Sequence, residues 1–90
     1  MVMRILIIED DLETNQFVAK GLSQAGHQVS TCADGRDGLF QATGGDFDAI
    51  VLDRMLPGLD GLAVVKALRA AGDATPVIML TAVGGIADRV

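Results

Sequence analysis

Tryptophan and tyrosine are missing from this sequence, and three phenylalanines make up its aromatic complement. There is therefore no platform on which single-stranded bases could stack. Cationic charge is also scarce. Seven basic residues (Arg4, Lys20, Arg36, Arg54, Lys66, Arg69 and Arg89) lie scattered among twelve Asp and Glu, giving a net charge of −5. Without a basic stripe to neutralise phosphates, direct binding to DNA or RNA is not expected. Cys32 is the single cysteine, so no internal disulfide can form, and a small buried apolar role in a reducing compartment suits it. No run approaches the roughly 18 apolar residues of a membrane span, and Ile5 to Ile8 is too short for a signal-peptide core. The expectation is a cytoplasmic chain with no membrane attachment. Half of the 90 residues are hydrophobic and 21% are charged, a composition that excludes intrinsic disorder and predicts one compact domain over residues 1–90.

What the sequence does have is short, unbroken apolar runs. Ile5-Leu6-Ile7-Ile8, Ala49-Ile50-Val51-Leu52 and Val77-Ile78-Met79-Leu80 each end near polar or glycine-containing sequence, and they read as central strands buried on both faces of a parallel sheet. Gln28 to Cys32 is a weaker fourth strand. A first helix carries Phe17, Val18, Leu22 and Ala25 on one stripe, with Asp10 or Asp11 as its cap and Gly26 as its stop. A short second helix runs from about Arg36 to Thr43. The third, from Gly61 to Ala71, buries Leu62, Val65 and Leu68 and stops at Gly72, after a turn at Leu56-Pro57-Gly58. Short linkers and right-handed crossovers then predict an α/β doubly wound sheet, whose ligands sit beyond the carboxyl ends of its strands.

Carboxylates gather at those ends. Strand one runs into Glu9-Asp10-Asp11, strand three into Asp53, and strand four into Thr81. Like charges held close in a partly desolvated cleft repel each other unless a cation neutralises them. Oxygen ligands with no accompanying His or Cys suit Mg²⁺, which completes its octahedron with waters and phosphate oxygens. The Thr81 hydroxyl can hydrogen-bond a phosphoryl oxygen.

These stretches, Ile5 to Asp11 (ILIIEDD), Ala49 to Gly61 (AIVLDRMLPGLDG) and Pro76 to Ala82 (PVIMLTA), resemble the receiver domain of bacterial two-component response regulators. They are most similar to the subfamily in which the receiver precedes a winged-helix DNA-binding domain. The resemblance implies a flavodoxin-like strand order 2-1-3-4 and a phosphorylation-dependent signalling switch that is not a metabolic enzyme. It implies that Asp53 accepts a phosphoryl group from a sensor histidine kinase, and that Mg²⁺ is held by Asp10 directly, Glu9 through water, Asp53, and the backbone carbonyl of Met55. Thr81 becomes the switch hydroxyl, while Asp11 is a cap.

Family receivers also carry a fifth strand and helix, with a Lys that pairs with the phosphoryl oxygens. This sequence ends in a helical pattern, Ile86 to Val90, before such a unit, and is expected to be a truncated receiver whose strand-four edge pairs with a second copy in a homodimer or higher assembly. Two alternatives follow. One is an interaction or dimerisation module that is not phosphorylated, favoured by the missing Lys. The other is an aspartyl-phosphate hydrolase, whose acid spacing Glu9-Asp10-Asp11 does not match. His27 reads as a solvated loop residue, Arg54 as pointing away from Asp53, and the Gly44-Gly45 and Gly84-Gly85 pairs lack the spacing of a nucleotide-binding loop.

Overall fold

The computed structural model describes residues 1–80. Strands and helices alternate as β1 (Arg4–Ile8), α1 (Leu12–Gln24), β2 (Gln28–Cys32), α2 (Gly35–Gly44), β3 (Ala49–Asp53), α3 (Gly61–Ala70) and β4 (Val77–Leu80). Every pairing is parallel, and the order is β2-β1-β3-β4, as expected for a doubly wound sheet. Side chains alternate across β1 and β3. Leu6, Ile8, Ile50 and Leu52 face α2 and α3, where Ala42, Val64 and Leu68 close a buried cluster. Ile5, Ile7 and Val51 face α1, against Val18, Ala19 and Leu22. The unbroken apolar runs of β1 and β3 are thus the sequence signature of burial on both faces. β4 departs from that pattern: among the described residues it is an outer strand, as is β2 at the opposite edge, and Ile78 is 58% exposed.

Acidic caps start all three helices of the described residues. Asp11 Oδ2 accepts from the Thr14 N–H at 3.0 Å, Asp34 Oδ1 from Asp37 at 2.8 Å, and Asp60 Oδ1 from Leu62 at 2.8 Å. Each satisfies a backbone donor the helix cannot, a contribution of about 0.5–2 kcal/mol. α1 and α3 end alike. Gly26 and Gly72 take positive φ, their N–H groups donate to Ser23 and Arg69, and those of the following His27 and Asp73 donate to Leu22 and Leu68. This double bond satisfies the last carbonyls and turns the chain back toward the sheet.

Three local expectations are corrected. On α1, Phe17 is 81% exposed and Ala25 is exposed; the inward stripe is Asn15, Val18, Ala19 and Leu22, whose three- and four-residue spacing keeps them on one face. On α3, Leu62 is exposed while Val64 is fully buried, since Gly61, Val64 and Leu68 follow the three- and four-residue spacing that faces one side. Finally, α2 extends one residue beyond the expected span at each end, with Asp34 as its cap.

Candidate functional site

The register that pairs Ile8 with Leu52 brings the residues after them, Glu9 and Asp53, to the same rim of the sheet. Glu9 is 5% exposed and Asp53 4%, whereas Asp10 is open to solvent. One carboxylate oxygen from each of the three lies within 4.8 Å of the others. Unit charges about 4 Å apart repel by about 4 kcal/mol at an effective dielectric of about 20. A single hydrogen bond returns only about 1 kcal/mol net. Burial accordingly pushes Glu9 up to about 7, with Asp53 and Asp10 acting in the same direction and the hydrogen bond from the Asp11 N–H opposing them.

The acids are held by backbone. Glu9 is fixed at three points: its N–H donates to the Cys32 carbonyl at 3.0 Å, its Oε2 accepts from the Asp11 N–H at 2.9 Å, and its carbonyl accepts from Asn15 Nδ2 at 3.0 Å. Asp53 Oδ1 accepts from the Met55 N–H at 3.3 Å. Beneath it, the Gly61 N–H donates to the Arg54 carbonyl at 2.9 Å. α3 comes in so closely that a Cβ on Gly61 would sit 2.5 Å from the Asp53 carbonyl oxygen. Glycine is what permits that approach. The donor set is all oxygen, crowded and anionic, which fits a hard divalent ion such as Mg²⁺.

A crowded triad of acids at the carboxyl ends of the two central strands of such a sheet calls for comparison with known proteins. The sequence pattern of the response regulator receiver domain matches residues 5–90. The chain belongs to the receiver-domain family. Over 88 residues it is 48% identical to the transcriptional regulatory protein TcrA of Mycobacterium tuberculosis, an alignment covering 98% of this chain and 35% of TcrA. The receiver thus spans about a third of that relative's length. Among solved structures, the receiver domain of the Francisella response regulator 1452 superposes with a TM-score of 0.87 at 34% identity, over 90% of this chain and 67% of that one. The response regulator TrrA of Thermotoga maritima, solved in complex with Mg²⁺–BeF, gives 0.85 at 26% identity, over 98% of this chain and 76% of its own.

In this receiver Glu9, Asp10 and Asp53 converge as expected, and Asp11 is the cap of α1. Met55 is brought to the site by its N–H, with its side chain 66% exposed. Arg54, expected to point away from Asp53, is exposed beside that buried acid. Thr81 and the helical pattern at Ile86 to Val90 lie outside the described residues. His27 is not a solvated loop residue: it is half-buried, and its Nδ1 accepts the Met3 N–H at 3.1 Å. Cys32 is buried, and burial, reinforced by the charges of Asp37 and Asp34, pushes its thiol up to about 12. It is therefore inert as a nucleophile. Asn15 is the residue near the site that sequence reasoning missed. An amide inside a helical stretch resembles any exposed polar position, and nothing in the spacing marks this one as 7% exposed beneath Glu9.

Proposed function

We propose that this receiver domain is a phosphorylation-dependent switch in which Asp53 takes a phosphoryl group from the phosphohistidine of a sensor histidine kinase. The observation that carries this is the convergence of three carboxylates within 4.8 Å, two of them buried, at one rim of the sheet. An Asp53 carboxylate oxygen attacks phosphorus, forming a P–O bond as the P–N bond to the donor imidazole breaks. The departing ring nitrogen is protonated from solvent. Glu9, Asp10, Asp53 and the Met55 carbonyl would hold Mg²⁺, which when bound supplies positive charge to the acids and the phosphoryl oxygens. The complex of TrrA with Mg²⁺–BeF supports this assignment. Glu9 Oε2 accepts from the Asp11 N–H, and its other oxygen is the one that would face a water or the ion. The Thr81 hydroxyl completes the proposal as the group that answers the phosphoryl oxygens. The switch acts in the cytoplasm as a signalling element rather than a metabolic enzyme, and reaches DNA only through another part of a longer regulator, as the transcriptional role of TcrA suggests.

Intact mass after incubation with a small phosphodonor and Mg²⁺ tests this. A gain of one phosphoryl group, abolished by Asp53→Asn, is expected. A gain that survives the substitution overturns the assignment, and catalytic release of phosphate with turnover favours a hydrolase instead.

The outer position of β4 and the exposure of Ile78 favour a second property, self-association through that edge, because unpaired strand edges template pairing with another copy. Light scattering across a dilution series should show a dimer or larger species in which the β4 amides are protected from exchange. A monomer at every concentration refutes it. Assembly without any mass gain would make the chain an interaction module.

A further inference from the structure

We infer that Asn15 is a positioning residue for the metal-binding acids, acting through the backbone of Glu9; the inference rests on the reading of Glu9, Asp10 and Asp53 as a Mg²⁺ site and deepens it. Asn15 sits one turn into α1, 7% exposed, on the face turned to the sheet. Its Nδ2 donates to the Glu9 carbonyl at 3.0 Å and to the Cys32 carbonyl at 3.3 Å. The Cys32 carbonyl in turn accepts the Glu9 N–H at 3.0 Å. One amide thereby ties together the ends of β1 and β2 and the first turn of α1.

The position of this tie gives it its effect. Glu9 lies just past β1, where the ladder stops and its carbonyl leaves the regular hydrogen-bonding pattern. A buried carbonyl without a donor costs about 1–3 kcal/mol, so the peptide would rotate to find one if Asn15 were apolar. Rotating the Glu9–Asp10 peptide changes the direction in which both carboxylates leave the backbone. The effect on the site is thus orientational, and Asn15 needs no contact with the ion to exert it. It has the role of the outer partners that orient metal ligands, whose loss typically costs 10–100-fold in metal affinity.

The test is Mg²⁺ affinity, with stability measured alongside. Two variants remove the donors: Asn15→Ala, and Asn15→Leu, which keeps most of the volume. A control, Leu22→Ala, destabilises the same helix from its contact with the other core cluster, away from the acids. Each protein is titrated with Mg²⁺ well below its melting temperature, with folding checked by circular dichroism and by the amide resonances of Glu9 and Asp10. Each Asn15 variant that folds should bind Mg²⁺ tenfold or more weakly, with those two resonances displaced. The control should lose stability and keep the affinity of the parent. An Asn15 variant that folds and binds as tightly as the parent, or a control that weakens binding equally, overturns the inference. If the parent itself binds no Mg²⁺, the reading of the acids as a metal site falls, and the inference with it.

Discussion

At Glu9 two effects reinforce each other: the fold buries the carboxyl, and the neighbouring Asp53 and Asp10 make its charge unwelcome, with the hydrogen bond from the Asp11 N–H opposing both. Its pKa of about 7, against an ordinary 4.5, has a definite thermodynamic sign. Between those values the folded chain holds a proton that the unfolded chain has released, so the folded state binds more protons and stability falls as pH rises through the window, then levels above it. In the presence of a chelator, the urea midpoint should decline between about pH 4.5 and 7, and Glu9→Gln should flatten that decline. Saturating Mg²⁺ competes with the proton and should restore stability at the upper end. Equal slopes for the parent and Glu9→Gln would show that the proton resides elsewhere. The charged half of this site was legible in the sequence, because acids at the ends of apolar runs stand out. Asn15 and His27 were not. Their roles depend on which backbone groups other strands bring to them, and that information is tertiary.

The helices show the same division at the next scale. Their existence, their aspartate caps and their glycine stops follow from local chemistry that the sequence displays, and the structure places them within a residue or two of expectation. Which side faces inward is less local. On α3 both Leu62 and Val64 belong to an apolar stretch, and the choice between them is made by the way α3 starts against the backbone of Asp53 and Arg54 at Gly61. The choice has a measurable consequence. Leu68→Ala, at a fully buried position, should cost about 2–5 kcal/mol. Leu62→Ala, at an exposed one, should stay within about 0.5 kcal/mol. Comparable losses at both positions by denaturant unfolding would contradict the observed face. Likewise, Phe17 on α1 fits the apolar stripe by periodicity, yet lies outside the arc that reaches β1 and β3.

For the molecule as a whole, the strand order was legible from the alternation of runs and helices together with the family resemblance, because short right-handed crossovers leave few alternatives. The exposure of β4 was not legible in its residues, since Val77 to Leu80 is as unbroken an apolar run as β1 and β3, and its outer place followed only from the strand order that the resemblance implied. An all-parallel sheet has a further consequence in time. Its four described strands form no hairpin, so each of their pairings must wait for a helical crossover. β1, α1 and β2 form a local unit, whereas β3 must close a longer loop to reach β1. Asp53 rides on β3 and Glu9 follows β1, so the anionic cluster comes into being with that later closure. Mg²⁺ is then a ligand of the finished fold rather than of the folding nucleus. At about one hundred times its dissociation constant it should slow unfolding by about a hundredfold and leave the refolding rate nearly unchanged, as chevrons measured with and without the ion would reveal. Accelerated refolding would instead place the β1–β3 closure before the barrier, and make the chemistry of the site part of what the chain first assembles.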